Sequence, residues 1–150
     1  MIGRMTPVAH LGDTDPLAAL LARVRELSLD LAAPLSDADA TVQSMDDASP
    51  AKWHLAHTSW FFETFVLRDV AGCRAFDPAF AYLFNSYYEA EGPRHARPRR
   101  GMLTRPSLDA VRAYRAHVDA ALTDALPGLD EDARALVELG CHHEQQHQEL

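Results

Sequence analysis

The stretch His-His-Glu-Gln-Gln-His-Gln-Glu, residues 142–149, holds the pattern on which the predicted fold and site depend. Residues four apart on a helix lie on one face, about 5–6 Å apart, so His143 and His147 can share one ion. Leu136, Gly140, His143, His147 and Leu150 follow the spacing of an inward-facing helical stripe. Each buried imidazole without a partner would cost about 1–3 kcal/mol. We therefore predict a metal ion; core histidines bonded to carbonyls or carboxylates are the alternative.

The composition is that of an ordinary globular domain. The chain has 150 residues, of which 47% are hydrophobic and 24% charged. Its 22 acidic and 14 basic residues give a net charge of −8, which argues against a nucleic-acid partner. Cys73 and Cys141 form no CxxC pair, which fits a reducing compartment. No apolar run approaches the roughly 20 residues that cross a membrane. We expect one cytoplasmic domain without a membrane partner.

Helix signals recur along the chain and predict four helices. Asp15-Pro16 is an N-cap followed by proline at the first helical position. The apolar stripe of this helix is Leu17, Leu20, Leu21, Val24, Leu27 and Leu31. Ser49-Pro50, Ser107 and the acidic run 130–132 begin the other three helices. Residues 70–106, broken by four prolines, form a long connection. The predicted fold is all-α: a loose arm over residues 1–14, then a four-helix bundle over 15–150 with a long crossover loop between helices 2 and 3.

The second helix offers the third metal ligand. Trp53, His57 and Trp60 share one face, whereas His54 lies one step around the helix, so position alone favours His57 over His54. Histidine nitrogens suit zinc, iron, nickel and copper alike. Three histidines would leave coordination positions open, which is typical of a reactive site. Glu149, about 200° around the helix from His147, is expected in a supporting or surface role.

The long connection is unusually basic. It carries five arginines between Gly92 and Pro106 with no acidic residue among them. The planar guanidinium suits carboxylates and phosphates, so the cluster is either a site for an anionic small molecule or a solvated loop that balances nearby acids.

Residues 143–147 also match the zinc-protease pattern HExxH. Such sites take their third ligand from downstream, and only three residues follow His147. We therefore do not predict a protease.

Three segments together resemble a known family. They are Ser-Pro-Ala-Lys-Trp-His-Leu-Ala-His-Thr (49–58), Phe-Asn-Ser-Tyr-Tyr-Glu (84–89) and His-Glu-Gln-Gln-His-Gln-Glu (143–149). In this order they are similar to the N-terminal part of the ergothioneine-biosynthesis sulfoxide synthases. These are non-haem iron enzymes in which a DinB-like bundle is joined to a formylglycine-generating-enzyme-like domain. The resemblance covers about residues 15–150.

The resemblance implies a cofactor, substrates and site residues. Fe(II) would be held by His57, His143 and His147, and O2 would be used to join hercynine to cysteine or γ-glutamylcysteine as a sulfoxide. Arg97 and Arg100 would bind the carboxylate of the thiol, and Gln146 would contact hercynine. Tyr87 and Tyr88 are candidates to line the site or to supply a proton.

The resemblance also implies a second, C-terminal domain that this sequence lacks, so we expect these residues to be one part of a longer enzyme. The relative that makes selenoneine shares the architecture. Two further classes stay open: a stand-alone DinB-like zinc or nickel thiol S-transferase, and a non-catalytic bundle with structural histidines.

Overall fold

The computed structural model describes residues 15–150, and their regular structure is helical. The helices are α1 (Pro16–Ala32), α2 (Asp37–Thr41), α3 (Ala51–Phe62, continued by a π-helical turn, Glu63–Leu67), α4 (Phe80–Phe84), α5 (Leu108–Ala125) and α6 (Glu131–Gln148). Short 3₁₀ turns occupy Glu89–Glu91, Arg97–Met102 and Leu126–Gly128. None of these helices is long and apolar enough to span a membrane. Residues 15–150 contain no strand, which confirms the predicted all-α class. The arm predicted for residues 1–14 lies outside the described residues.

Side-chain caps begin three of the four long helices, and the caps at Asp15 and Ser107 are those that the sequence predicts. Asp15, Ser107 and Asp130 each accept a hydrogen bond from a backbone N–H in the first turn of α1, α5 and α6. The helix α3 differs, because Pro50 occupies its N-cap position and no side chain caps it. The Ser49 hydroxyl instead accepts a hydrogen bond from Arg100 Nη1 at 2.8 Å. The predicted Ser49 cap is therefore wrong, since a guanidinium from the long connection uses that oxygen.

Two connections between the long helices contain further helical structure. Residues 34–48 include α2, which begins with a capping box between Ser36 and Asp39. From α2, Asp37 Oδ1 accepts a hydrogen bond from the Leu108 N–H at 2.7 Å and lies 3.6 Å from Lys52 Nζ. The short helix α2 thereby joins the starts of α3 and α5. The connection 70–106 contains α4 and two of the 3₁₀ turns.

The core lies where the long helices meet. The helix α1 packs mainly on α6, and α3 packs on both α5 and α6. Trp60, Phe62 and Tyr114 are among the largest fully buried side chains. Gly140 allows α6 to approach α3 closely, because a Cβ atom there would lie 2.7 Å from Phe62 Cζ. This close approach brings the histidine-bearing end of α6 to α3.

The buried face of α6 differs from the predicted stripe. Leu136 is 37% exposed and Leu150 is 80% exposed, so the prediction that both face inward is wrong. The buried residues of α6 are Val137, Gly140, Cys141 and Glu144. The true stripe is displaced by about one residue, which corresponds to about 100° of rotation. His143 and His147 consequently lie at the edge of the buried face.

A buried ionic network explains this rotation. The carboxylate of Glu144 accepts hydrogen bonds from Arg25 Nη1 at 2.9 Å, Arg115 Nη2 at 2.7 Å and Ser28 Oγ at 2.6 Å. Arg25 and Arg115 are 3% and 0% exposed, and Glu144 is 0% exposed. The helix α1 turns Arg25 and Ser28 inward for the same reason.

Two leucines of the predicted α1 stripe turn outward as a result. Leu27 is 47% exposed and Leu31 is 55% exposed. The apolar period alone would place both in the core, but the network decides which face of α1 packs on α6.

The network keeps Glu144 ionised. Burial alone would raise the pKa of Glu144, but the positive charges of Arg25 and Arg115 and the hydrogen bond from Ser28 lower it to about 2. Removing one member of a buried ion pair leaves its partner uncompensated, which typically costs about 3–5 kcal/mol.

We therefore expect Glu144→Gln to lower the free energy of unfolding by about 3–5 kcal/mol, measured by urea denaturation at neutral pH. Glu138→Gln is the matched control, because this carboxylate lies on the same helix with its side chain 61% exposed. Its effect should stay within about 0.5 kcal/mol.

The difference between the wild type and Glu144→Gln should depend on pH. Because the folded-state pKa lies below the ordinary value of 4.5, the stabilisation is fully present above that value and is lost as pH falls toward 2. Other carboxylates are common to both proteins and cancel in the difference. A difference that stays constant from pH 7 to about pH 3 would contradict this account.

Candidate metal centre

Three imidazoles converge between α3 and α6. His57 comes from the middle of α3, and His143 and His147 come from the last turns of α6. Nε2 of His143 lies 3.2 Å from Nε2 of His57 and 3.1 Å from Nε2 of His147. One nitrogen from each ring lies within 4.8 Å of the others. The structure thus brings together the three residues that the sequence predicts as ligands.

The ring of His57 is fixed on its edge and on both faces. Its Nδ1 lies 2.6 Å from the carbonyl oxygen of Phe84, to which it can only donate, so Nε2 carries the lone pair. Trp53 and Trp60 stack on the ring, with centroids at 4.5 and 5.5 Å. Fixing the far nitrogen in this way is a usual property of metal-binding histidines.

Burial keeps the three rings neutral. It lowers the pKa of His57 well below the ordinary value, with a further contribution from His147, and it also lowers the pKa of His143. Burial and the neighbouring rings lower the pKa of His147 to about 3. Neutral imidazole is the form that binds metals.

The cluster fits an ion better than it fits its own protons. Nε2 of His143 lies between two other ring nitrogens, and a single proton there cannot bond both of them well. Two nitrogens about 2.0–2.1 Å from one ion would be about 2.8–3.4 Å apart for angles between a right angle and the tetrahedral value. The two spacings from His143 Nε2, 3.2 and 3.1 Å, lie within that range, and all three nitrogens lie within 4.8 Å of one another. The residues therefore offer a three-nitrogen site without selecting which metal it takes.

His54, the alternative third ligand, lies outside this group. Its Nδ1 is 2.8 Å from Nδ1 of His147, on the side of that ring away from the three Nε2 atoms. Burial, together with the charge of Arg100, lowers the pKa of His54 to about 4. The geometry therefore favours His57, as position along α3 does.

A cavity of about 350 Å³ opens onto the histidines. Besides the four imidazoles, its walls include Tyr87, Arg97, Arg100 and Gln146. These are the predicted substrate residues and one of the two predicted tyrosines. Residues far apart in the sequence thus meet beside the candidate metal site.

Arg100 forms the basic wall of this cavity. It is 3% exposed, and its guanidinium carbon lies 3.5 Å from the centroid of the Trp53 ring. Burial and the neighbouring charges of Arg97 and Arg94 lower its pKa to about 10. No carboxylate within residues 15–150 forms an ion pair with it, and its Nε has no hydrogen-bond partner there. An anion in the cavity would meet an uncompensated positive charge.

The two tyrosines have different environments. Tyr87 is 63% exposed at the cavity, and its ring stacks on Tyr88 with centroids 4.9 Å apart. Tyr88 packs against Trp60 and Phe65 at 5.6 and 5.1 Å. Burial and the neighbouring Tyr87 raise the pKa of Tyr88. Tyr87 therefore lines the cavity, and Tyr88 packs between Tyr87 and the rings of Trp60 and Phe65.

Several structural residues escaped the sequence reasoning. Asn85 is 0% exposed; its Oδ1 accepts from the Tyr88 N–H and its Nδ2 donates to the Tyr88 carbonyl, which shapes the loop carrying Tyr87. Arg25 and Arg115 directly follow Val24 and Tyr114 in their apolar stripes. Their position beside core residues was the available signal.

The glutamate of the HExxH match has a structural role. Glu144 bonds two buried arginines and Ser28, on a different face of α6 from the converging nitrogens. It is not free to act as a general base.

We expect the purified protein to bind about one Fe(II) or Co(II) per chain when loaded without oxygen, because three neutral nitrogens converge. His57→Ala, His143→Ala and His147→Ala should each abolish stoichiometric binding, measured by metal analysis after desalting. The matched control is His142→Ala, which removes an exposed imidazole one residue from His143. Circular dichroism would verify that each variant remains helical. Retention of metal in the three ligand variants would contradict the assignment.

Comparison with known protein families agrees with a candidate metal site. Residues 20–150 match the DinB superfamily, whose members are often metal-dependent enzymes. No curated protein shows a significant match. Because the match extends over most of the sequence, the chain belongs to the DinB superfamily.

Proposed function

We propose that this chain is the iron-binding part of an O2-dependent enzyme that joins hercynine to cysteine or γ-glutamylcysteine and forms a sulfoxide. In this proposal the DinB-like helices form a four-helix bundle, and the connection 70–106 is its long crossover. Support comes from membership of a superfamily rich in metal enzymes and from the three sequence segments that resemble the sulfoxide synthases.

The observation that carries the proposal is the cavity in which the three imidazoles meet the two arginines. The chain has a net charge of −8, yet this cavity is lined by Arg97 and Arg100. Such a local reversal of charge favours a small anionic ligand beside the metal. A thiol amino acid has a soft sulfur for the metal and a carboxylate for the arginines.

Each residue then has a defined task. Fe(II) held by His57, His143 and His147 would supply the redox chemistry and a template for the substrates. The guanidinium groups of Arg97 and Arg100 would bind the thiol substrate's carboxylate and orient its sulfur. Gln146, on the cavity wall next to His147, would bond hercynine.

Substrate binding and turnover provide the test. With Co(II) bound, cysteine or γ-glutamylcysteine should produce a sulfur-to-cobalt charge-transfer band in the near ultraviolet, and His147→Ala should lack it. Iron-loaded protein joined to the second domain that the resemblance implies should consume O2 when both hercynine and thiol are present, with the sulfoxide detected by mass spectrometry. No band at millimolar thiol would overturn the proposal. Thiol transfer with zinc or nickel in the absence of O2 would point to an S-transferase instead.

We expect Arg100→Met to weaken thiol binding by about 10–100-fold, because a charge-assisted hydrogen bond contributes about 1.5–3 kcal/mol. Methionine retains apolar packing on Trp53. The measurement is a titration of the charge-transfer band with cysteine and with cysteamine, which lacks the carboxylate. The wild type should prefer cysteine, and the variant should lose most of that preference.

Arg99→Met is the control, because Arg99 is an exposed neighbour that does not line the cavity. Equal losses in Arg99→Met and Arg100→Met would show a general effect of charge rather than a binding site.

A further inference from the structure

His54 contacts the candidate ligand His147 at Nδ1, the ring nitrogen that does not face the other two histidines. Its Nδ1 lies 2.8 Å from Nδ1 of His147, and the two ring centroids are 5.0 Å apart. His54 lies three residues before His57, so α3 supplies both a candidate ligand and a partner for another ligand. The inference below rests on the proposed metal site.

A hydrogen bond between two imidazole nitrogens needs one proton between them. A neutral imidazole carries one N–H, so one ring donates and the other accepts. If His147 donates from Nδ1, its Nε2 has a lone pair directed at the other two histidines. If His147 accepts at Nδ1, its Nε2 carries the proton and cannot bind a metal. The role of His54 in this contact therefore decides whether His147 can act as a ligand.

We propose that His54 is a positioning residue that accepts a hydrogen bond from Nδ1–H of His147 and thereby holds His147 in its metal-binding tautomer. The carbonyl of Phe84 does the same for His57, at 2.6 Å from its Nδ1. Such partners of metal-binding histidines are usually carboxylates, carbonyls or waters. Here an imidazole takes that place.

A neutral partner suits this cavity. His54 shares the cavity wall with Arg97 and Arg100. A carboxylate at position 54 would add negative charge beside the metal and compete with an anionic substrate for the arginines. An imidazole can orient His147 without that competition.

Two substitutions separate orientation from packing. His54→Leu removes the acceptor, whereas His54→Asn retains an oxygen acceptor close to the position of Nδ1. We expect the Kd for Co(II), measured by competition with a fluorescent chelator, to rise by about 10–100-fold in His54→Leu and to change much less in His54→Asn. Wild-type affinity in His54→Leu, or equal losses in both variants, would overturn the proposal. His142→Ala serves as the exposed control.

A second measurement does not need metal. In the metal-free protein, long-range ¹H–¹⁵N correlation spectra report which nitrogen of each histidine carries the proton. We expect His147 to be protonated at Nδ1 in the wild type and in His54→Asn, and to shift toward the Nε2–H form in His54→Leu. A predominantly Nε2–H form of His147 in the wild type would overturn the inference. If the wild type binds no metal, the proposed function fails, but these spectra still decide the role of His54.

Discussion

The buried contact of Glu144 with Arg25 and Arg115 determines which faces of α1 and α6 meet. Apolar packing alone tolerates rotation of a helix, whereas a carboxylate between two buried guanidinium groups has a single favourable orientation. Because Glu144 directly follows His143, fixing the carboxylate also fixes the direction of the imidazole beside it. The position of the candidate metal ligands on α6 therefore depends on an interaction that takes no part in metal binding.

The helix α6 separates two kinds of chemistry by one step of rotation, about 100°. One face carries an ionised carboxylate compensated by arginines, and the adjacent face carries uncharged nitrogens beside an arginine with no acidic partner in residues 15–150. In the first arrangement the positive and negative charges compensate one another, and the ion pairs contribute to the uniqueness of the fold. In the second arrangement, the charge of Arg100 and the lone pairs of the histidine nitrogens remain available to a ligand. This difference distinguishes the structural glutamate from the candidate functional histidines.

Local signals in the sequence predicted the helix starts at Asp15, Ser107 and Asp130, since each cap is a contact within a few residues. The sequence also predicted His57 as a candidate metal ligand, from its position between two tryptophans on one face of the helix. The rotation of α1 and α6 could not be predicted, because an apolar period assigns charged residues such as Arg115 to solvent unless their distant partners are known. The predicted cap by Ser49 was wrong for a related reason. In the sequence, a serine that caps a helix cannot be distinguished from one that accepts a hydrogen bond from Arg100, because only the fold brings Arg100 close to Ser49.

Two consecutive carbonyls at the end of α4 accept hydrogen bonds from α3: Leu83 from Trp53 Nε1 at 3.0 Å, and Phe84 from His57 Nδ1 at 2.6 Å. The orientation of one candidate ligand is thus tied to a helix of five residues in the long connection. A helix of five residues has few hydrogen bonds of its own, so we expect α4 to open locally at a free energy below that of global unfolding. The lifetime of a bound metal should therefore follow the opening of α4 rather than the melting of the whole domain. Substitutions that destabilise α4 should then speed both hydrogen exchange at its backbone amides and the release of metal.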